Sequence, residues 1–239
     1  MTVKKVSVVI AAAGESERFI SPSGVKKQFF KLSNKPIITW TIEKFVPIKQ
    51  IGEVVVLLPA DELPYWEGKI KSISPKIKCV AAGGTTRIDS VLNGLNYVTE
   101  KYVLIHDGVR PCVSKELILK IINELNNYDS VVPVIPVNET LKLVDEENFV
   151  KKTISREKVY IVQTPQGFRT ELIKKAYLRI RQRREANVNL QLRITDDAQI
   201  VEEAFKKKVK IKTILGEIEN IKITTFDNIK LVKLILAKM

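Results

Sequence analysis

The chain has 239 residues and a formal net charge of +13, from 40 lysines and arginines against 27 aspartates and glutamates. Hydrophobic residues make up 45% and charged residues 28%, which is typical of a globular protein, and no apolar run approaches the roughly 20 residues of a membrane span. Two cysteines, Cys79 and Cys112, exclude a disulfide framework and favour the reducing cytoplasm, and the single histidine, His106, excludes sites built on two histidines.

Short apolar runs alternate with segments of helical periodicity over the first 137 residues. Strands are predicted at residues 6–11, 53–58, 77–81, 102–105 and 130–137, and helices at 36–45, 61–73, 87–97 and 114–125. Ser114 is the predicted N-cap of the last helix, and the prolines of the last strand place that strand at an edge or a bend. This order predicts an α/β fold: a doubly wound, mostly parallel sheet with helices on both faces. Ligands of such sheets bind beyond the carboxyl ends of the strands.

Residues 138–158 interrupt this order. Two alternating runs, 140–144 and 149–154, flank a polar Asp-Glu-Glu-Asn tip and predict a β-hairpin that is too polar for a core, so we expect it to project as an arm. Helices are then predicted at 171–184, 196–206 and 227–237, and a strand at 210–215. Because no internal repeat or low-complexity linker divides the chain, we expect one domain over residues 1–239 with an arm insertion at about 138–158.

The first segment with chemical interest follows the first predicted strand and reads Ala-Ala-Ala-Gly-Glu-Ser-Glu-Arg-Phe, residues 11–19. Small residues and the conformational freedom of Gly14 allow a close approach to a ligand, inward amides can hold a phosphate, and Arg18 adds a cation. The segment is neither a Walker loop nor a complete G-x-G-x-x-G dinucleotide fingerprint. A plain strand-to-loop turn is the alternative, but Lys27 follows within a short distance and adds a second cation.

A second candidate segment, residues 83–90, combines two glycines with a helix start near Thr86. Backbone amides, the helix N-terminus, Arg87 and Ser90 would together suit an anionic or polar ligand. The alternative is a glycine turn before a capped helix.

A third candidate segment, His-Asp-Gly-Val-Arg-Pro, begins at His106 at the end of a predicted buried strand. The Asp107 carboxylate offers oxygen ligands to Mg²⁺. We interpret His106 as a structural residue with satisfied hydrogen bonds rather than as a base or a metal ligand. Cys79, His106 and Cys112 lack the spacing of a zinc site.

These segments resemble one family when they are taken together and in order. The chain carries AAAGESERF, KKQFF, GGTTRIDSVLNGL, VLIHDGVRPCVS, PVNETLK, QTPQGF, TDDA and ENIKIT, from Val6 to the last predicted helix. This series resembles the 2-C-methyl-D-erythritol 4-phosphate cytidylyltransferases of non-mevalonate isoprenoid biosynthesis. The resemblance implies a Rossmann-like nucleotidyltransferase fold that transfers CMP from CTP to the alcohol phosphate with Mg²⁺ or another divalent cation, releasing pyrophosphate.

The resemblance also implies roles for individual residues. The residues implied to bind CTP are Ala12, Ala13, Gly14, Gly84, Thr85, Arg87, Ser90 and Asp107, with Asp107 also near the metal. The residues implied to line the sugar-phosphate pocket are Arg110, Thr140, Thr164 and Thr195. The implied catalytic residues are Arg18 and Lys27 on the triphosphate, Lys222 on the attacking phosphate, and Arg156, which the arm delivers from the second subunit of a homodimer.

Four positions depart from the family pattern. The glycine loop usually reads G-x-G-x-R-M, whereas this chain has Ser16 and Phe19 at the second glycine and the methionine. Lys26 stands where a proline is usual, and Glu139 stands where an aspartate is usual before Thr140. None of these changes removes an implied catalytic cation.

Three alternatives remain at this point. Ribitol 5-phosphate cytidylyltransferases share the KQF, HD-x-x-RP and QTPQ elements, although the residues from Arg87 to Leu95 and the TDDA segment favour the methylerythritol enzyme. The charge of +13 alone suggests a nucleic-acid-binding protein, and the missing glycines argue against a nicotinamide-dependent oxidoreductase. We therefore expect CTP and a phosphorylated sugar alcohol as ligands, and no nucleic acid or membrane.

Overall fold

The strands and helices lie in one α/β arrangement. A computed structural model describes residues 5–14, 19, 24–186, 194–206 and 208–238. The strands are β1 (Val6–Ala11), β2 (Lys31–Leu32), β3 (Lys35–Pro36), β4 (Ile51–Leu58), β5 (Ile77–Ala82), β6 (Tyr102–Asp107), β7 (Ser130–Pro136), β8 (Leu141–Val144), β9 (Val150–Ile154), β10 (Tyr160–Val162), β11 (Gln166–Arg169) and β12 (Lys212–Leu215). The helices are α1 (Ile37–Phe45), α2 (Leu63–Lys71), α3 (Arg87–Leu95), α4 (Lys115–Glu124), α5 (Thr170–Ala186), α6 (Asp197–Phe205) and α7 (Asn228–Leu236).

The main sheet has a parallel half and a mixed half. Strands β5, β4, β1 and β6 are neighbours in that order and run parallel, as their continuous β-branched runs predict. Strand β11 is antiparallel to both β6 and β7, β10 is antiparallel to β7, and β12 is parallel to β7. The prediction of a mostly parallel α/β sheet is confirmed, but β10 and β11 were not predicted, since runs of three and four residues carry little periodicity.

The predicted edge position of β7 is wrong. Val131 of this strand pairs with Gly167 of β11 and also with Lys212 of β12, so β7 has partners on both sides. Pro133 lacks an N–H donor, but its carbonyl oxygen still accepts a hydrogen bond from the backbone N–H of Gln163 at 2.9 Å. The proline is therefore accommodated inside the sheet.

Hydrophobic cores cover both faces of the sheet. On β1, Val8 and Ile10 belong to a core with α1 and α4, whereas Val9 belongs to a second core with α3, α5 and α6. Successive side chains of a strand point to opposite faces, so this division makes the sheet doubly wound, as predicted. Ser114 caps α4 as predicted, because its hydroxyl oxygen accepts a hydrogen bond from the backbone N–H of Leu117 at 2.9 Å.

The predicted arm is a separate two-stranded hairpin. Strands β8 and β9 pair antiparallel, from Leu141 opposite Ile154 to Val144 opposite Val150, and most of their residues are exposed. Within the described ranges, no helix has the length and apolar character that would let it cross a bilayer.

A buried carboxylate stabilises the edge of the sheet opposite the strand carboxyl ends. Glu53 on β4 accepts hydrogen bonds from the backbone N–H and the hydroxyl of Thr99, at 2.7 and 2.8 Å, from the ammonium of Lys78 at 2.9 Å, and from the hydroxyl of Ser7. Burial alone would raise the pKa of Glu53, but these donors outweigh it and lower the pKa from 4.5 to about 2.

We expect Glu53→Gln to lower the free energy of unfolding near neutral pH by about 2 kcal/mol, because in either orientation the amide nitrogen would face a group that only donates, the Thr99 N–H or the Lys78 ammonium. The folded-state pKa is below the unfolded value, so the wild-type contribution is complete above pH 4.5 and is lost as pH falls toward about 2. Urea unfolding of the wild type and of Glu53→Gln, at neutral pH and near pH 3, measures the free energy of unfolding of each protein. The difference between the two proteins should be smaller near pH 3 than at neutral pH. Glu67→Gln, which removes an exposed pair with Lys71, is the control. If wild type and Glu53→Gln differed in free energy of unfolding by the same amount at both pH values, the lowered pKa assigned to Glu53 would be contradicted.

Candidate active site

Two adjacent clefts open at the carboxyl ends of β1, β5 and β6, where the fold predicts ligand binding. The first has a volume of about 310 Å³ and the second about 420 Å³. Both are lined by Arg87, Asp107 and Lys222, which form the junction between the clefts. Two ligands bound side by side would therefore meet at a cluster of charged groups.

The structure brings most of the predicted residues to these clefts. The first cleft is lined by Ala12, Ala13, Gly14, Lys27, Gly84, Thr85 and Ser90 together with the junction residues. The second cleft is lined by Arg110, Thr164 and Thr195 together with the junction residues. All eight residues predicted to bind the nucleotide thus lie in one cleft.

Among the described residues, two of the predicted site residues line neither cleft. Arg18 lies outside the described residues. Thr140 precedes β8 and is exposed, and it lines neither cleft. Arg156 follows β9, is also exposed, and its guanidinium donates to the backbone carbonyl of Asn138. The arm of this chain therefore does not bring Thr140 or Arg156 to the clefts described above.

A buried glutamine shapes the loop after β1. Lys27 opens a 3-10 turn, and the next residue, Gln28, donates from Nε2 to the carbonyl oxygens of Ala12 at 2.9 Å and Gly14 at 3.2 Å. These bonds couple the loop backbone to the segment that carries Lys27. No role for Gln28 was predicted from the sequence, although its position beside Lys27 in KKQFF was the available signal.

Small residues pack the glycine turn against this loop. A Cβ atom at Gly83 would overlap the Cβ of Ala13 and lie 2.8 Å from Oγ of Ser90, so a side chain at this position would displace both segments. Gly14 does not have a positive φ, so its predicted conformational freedom is not used in this structure. Ser90 fixes the turn as well, since its Oγ accepts from the backbone N–H of Gly84 at 3.0 Å and donates to the carbonyl of Thr86 at 2.8 Å.

Arg87 is held by a buried carboxylate. Its two terminal nitrogens donate to the two carboxylate oxygens of Asp197 at 2.8 and 2.6 Å, and the buried hydroxyl of Tyr177 also donates to Asp197. Burial alone would lower the pKa of Arg87, but Asp197 outweighs it and raises that pKa well above the ordinary value. The ion pair of Arg87 with Asp197, together with Tyr177, links α3, α6 and α5 at the junction. Neither Asp197 nor Tyr177 was predicted from the sequence to hold Arg87.

Asp107 is the negative centre of the junction. Its Oδ2 accepts from Nε of Arg110 at 3.0 Å and lies 3.1 Å from Nζ of Lys222. Burial alone would raise the pKa of Asp107, but Lys222, Arg110 and Arg87 outweigh it and hold that pKa well below the usual range. Asp107 is therefore ionised at every pH at which the protein would be used.

A buried asparagine joins the loops that carry these charges. The side-chain Nδ2 of Asn220 donates to the backbone carbonyl of Thr164 at 2.8 Å, and the backbone carbonyl oxygen of Asn220 accepts from Nη1 of Arg110 at 2.8 Å. Asn220 lies two residues before Lys222, so it fixes the approach of that lysine to the junction. Asn220 belongs to the ENIKIT segment, which was the available signal, but no role for it was predicted from the sequence.

His106 has partners at both ring nitrogens, as predicted for a structural residue. Its Nδ1 lies 2.9 Å from the Thr164 hydroxyl and its Nε2 lies 3.2 Å from the carbonyl oxygen of Arg110. Complete burial lowers the pKa of His106 to about 4, so the ring is neutral near pH 7. The ring therefore has neither the exposure nor the charge state of a general acid.

Two of the positions that depart from the family pattern are accommodated by packing and pairing. Phe19 is buried against Phe30 and Phe226, with ring centroids 5.7 Å apart in both cases. Lys26 has a φ of −58°, which a proline would also adopt, and its ammonium pairs with Asp61 at 2.9 Å. Ser16 lies outside the described residues.

Comparisons with known proteins point to one family. The family model of IspD, 2-C-methyl-D-erythritol 4-phosphate cytidylyltransferase, matches residues 6–238. A relative of that name from Alkaliphilus metalliredigens is 38% identical over 92% of this chain and 88% of its own length, and one from Endomicrobium trichonymphae is 36% identical over 97% and 99%.

Solved structures agree as well. The chain is similar to the 4-diphosphocytidyl-2C-methyl-D-erythritol synthase of Anaerococcus prevotii, with a TM-score of 0.80 and 31% identity over 98% of this chain and 97% of that one. It is also similar to the 2-C-methyl-D-erythritol 4-phosphate cytidylyltransferase of Thermus thermophilus, with a TM-score of 0.76 and 30% identity over 98% and 100%.

Proposed function

The chain belongs to the 2-C-methyl-D-erythritol 4-phosphate cytidylyltransferase family, and on that premise we propose that it transfers CMP from CTP to 2-C-methyl-D-erythritol 4-phosphate. The products are the CDP-alcohol and pyrophosphate. The observation that carries the assignment of the two substrates is the pair of clefts that meet at Arg87, Asp107 and Lys222. The first cleft has the glycine turns and Lys27 for a triphosphate, and the second has Arg110 and two threonines for an alcohol phosphate.

The chemistry explains why the site is cationic. An oxygen of the alcohol phosphate attacks the α-phosphorus of CTP, the new P–O bond forms, and the bond from the α-phosphorus to the bridging oxygen breaks to release pyrophosphate. The attacking phosphate monoester is already largely ionised at neutral pH, because its second pKa is near 6, so no strong base is needed. The described lining residues accordingly contain lysines and arginines but no histidine.

The barrier lies in bringing one polyanion onto another and in stabilising charge at the α-phosphorus. Lys27 in the first cleft and Lys222 at the junction are placed to offset that charge. Arg18, which follows β1 in the sequence, would supply a further cation. Backbone amides of the turns after β1 and β5 supply further donors to phosphate oxygens. Lys222 also faces the second cleft, where it orients the attacking phosphate.

The donor set of the junction fits Mg²⁺ or another divalent cation. Among the described residues there is no cluster of three or more potential metal ligands, and Asp107 is the carboxylate that both clefts share. One carboxylate together with substrate phosphates and waters is the usual environment of Mg²⁺ in nucleotide sites. When bound, the cation would neutralise phosphate charge, and Asp107 would hold it beside the α-phosphate region.

The arm completes the site in a homodimer. Thr140 and Arg156 line neither cleft of their own chain, and the arm exposes large apolar side chains, including Phe149 at 66% and Val150 at 61%. A second copy of the chain would cover this surface and receive Arg156 and Thr140 at its second cleft.

Because Cys79 and Cys112 are both free, a reducing cytoplasm is the compartment we assign.

The experiment that tests the function is pyrophosphate release from CTP with each of two acceptors, 2-C-methyl-D-erythritol 4-phosphate and ribitol 5-phosphate. We expect a kcat/KM at least about 100-fold higher for the methylerythritol substrate. A pocket built to hydrogen-bond the hydroxyls of one alcohol leaves buried polar groups unpaired when another alcohol binds, and this discriminates to that degree or more. ATP in place of CTP is the nucleotide control. Preference for ribitol 5-phosphate would move the chain to the related activity, and salt-dependent duplex DNA binding without turnover would support the nucleic-acid alternative.

A further inference from the structure

Three phenylalanine rings from distant parts of the chain meet in one aromatic cluster, formed by Phe19, Phe30 and Phe226. The ring centroids lie 5.7 Å apart for Phe19 and Phe30, 5.7 Å apart for Phe19 and Phe226, and 5.5 Å apart for Phe30 and Phe226. The rings are inclined to one another by 53° to 84°, which suits the edge-to-face attraction between aromatic rings. Each ring therefore contacts both of the others, and the cluster links three segments of the chain.

Two of these segments carry a lysine that is assigned to the reaction. Lys27 begins the 3-10 turn that leads into Phe30, and the backbone N–H of Phe30 donates to the carbonyl oxygen of Lys27 at 3.2 Å. Lys222 lies four residues before Phe226. The contact between the Phe30 and Phe226 rings thus joins a segment of the first cleft to the segment that reaches the junction of the clefts.

A small hydrophobic core connects the cluster to the first cleft. Phe19 is only 6% exposed and belongs to this core together with Val109 and Ile223, and Phe30 packs against it. Val109 lines the first cleft, and its carbonyl oxygen accepts a hydrogen bond from the backbone N–H of Ile223 at 3.0 Å. Because Ile223 directly follows Lys222, the packing of this core determines where the backbone of Lys222 lies.

We propose that Phe19, Phe30 and Phe226 are positioning residues, which act on cytidylyl transfer by holding Lys27 and Lys222 at a fixed separation. These three described residues line neither cleft, so their effect on the reaction passes through the two lysines. The inference rests on the proposed function in one respect, since it takes Lys27 and Lys222 as members of the reacting site.

The separation of the two lysines matters because they act on opposite reactants. Lys27 offsets charge on the triphosphate, whereas Lys222 orients the attacking phosphate. A change in their relative position would misalign the two substrates, although the backbone amides of the glycine turns would still hold the nucleotide. Misalignment of reacting groups lowers kcat more than it lowers binding.

The kinetic test is a double-mutant cycle on two rings that are not fully buried. Phe226 is 38% exposed and Phe30 is partly buried, so Phe226→Ala and Phe30→Ala remove ring contacts without opening an enclosed cavity. We expect each variant to lower kcat about tenfold, with KM for both substrates within about threefold of wild type. Because both changes break the same ring contact, the double variant should lose about tenfold to 20-fold rather than about 100-fold. Phe226→Tyr, which keeps a ring, should recover most of the loss.

Phe205→Ala is the matched control. Phe205 is also a partly buried phenylalanine, at the end of α6, and its ring centroid lies 4.7 Å from the guanidinium carbon of Arg179. This variant should lower the thermal unfolding temperature about as much as Phe226→Ala does and should leave kcat unchanged. Multiplicative losses in the double variant, or an equal loss of kcat in Phe205→Ala and Phe226→Ala, would overturn the proposal, because the effects would then be independent or would follow from stability alone.

A second measurement does not depend on turnover. Amide hydrogen exchange of the folded protein without substrates reports on the two lysine segments separately, because the amides of Phe30 and Ile223 are both hydrogen-bonded. We expect Phe226→Ala to speed exchange of the Phe30 amide about tenfold, and Phe30→Ala to do the same to the Ile223 amide. Phe205→Ala should change neither.

The exchange result separates this inference from the proposed function. Unchanged exchange of the Phe30 amide in Phe226→Ala, and of the Ile223 amide in Phe30→Ala, would overturn the positioning role whatever the turnover of the variants. Absence of cytidylyl transfer in the wild type would instead reject the proposed function, and the exchange rates would still decide whether the aromatic cluster couples the two lysine segments.

Discussion

Lys222→Ala is expected to lower kcat for cytidylyl transfer by about 100- to 1,000-fold, the usual effect of removing one group that stabilises transition-state charge. Lys222 lies at the junction of the two clefts, with its ammonium 3.1 Å from Asp107, and its side chain is partly exposed. The fold should survive the substitution, because Arg110 remains paired with Asp107 and keeps that buried carboxylate compensated. Steady-state pyrophosphate release and thermal unfolding of the same preparation measure the two effects.

The control for this prediction is Lys230→Ala, which removes an exposed lysine of α7 and changes the net charge equally. It should leave kcat unchanged. Lys222→Arg keeps the charge but presents a planar fork in place of a compact ammonium, so we expect it to recover only part of the activity. Near wild-type turnover of Lys222→Ala in protein of normal stability would refute the assigned role.

The parts of the fold that depend on local pattern could be predicted from the sequence. The β-branched runs of β1 and β4 specify buried parallel strands, and Ser114 marks a helix start because a hydroxyl satisfies an otherwise unpaired amide. The rule that ligands bind at strand carboxyl ends then places the glycine turns and Asp107 together. Each of these signals is formed by residues close together in the chain, so each can be recognised in a single sequence.

The supporting contacts of the site could not be predicted in the same way. Arg87 and Asp197 are 110 residues apart, and nothing in either segment states that their side chains form a bidentate pair. Gln28 and Asn220 likewise act through backbone carbonyls, which have no sequence signature. Thr164 shows the same limit, because its presence in the second cleft could be predicted but its contact with Nδ1 of His106, at 2.9 Å, could not.

A mixture of two inactive variants, Arg156→Ala and Lys27→Ala, is expected to regain activity if the arm serves the partner subunit. Arg156 lines neither cleft of its own chain, whereas Lys27 lies in the first cleft. One defect is therefore in the arm, and the other is in the body of the chain, which is the α/β part that holds the two clefts. In a hybrid dimer, one site would carry both defects and the other neither. Random mixing gives half hybrids, each with one of two sites intact, and therefore about a quarter of wild-type kcat. Each variant alone should retain about 1% or less.

The arrangement of the defects supplies its own control. Lys27 and Lys222 both belong to the body of the chain, so hybrids of Lys27→Ala and Lys222→Ala place one defect in each site and should stay inactive. Co-expression with two affinity tags isolates the hybrids, in which about half of wild-type activity is expected. Hybrids of Arg156→Ala and Lys27→Ala that remain inactive, or a wild-type enzyme that turns over as a monomer, would show that the arm does not complete a neighbouring site. Recovery confined to the arm-and-body pair requires a group from the arm of one subunit to act at the junction of the other, because no rearrangement within one chain repairs either defect.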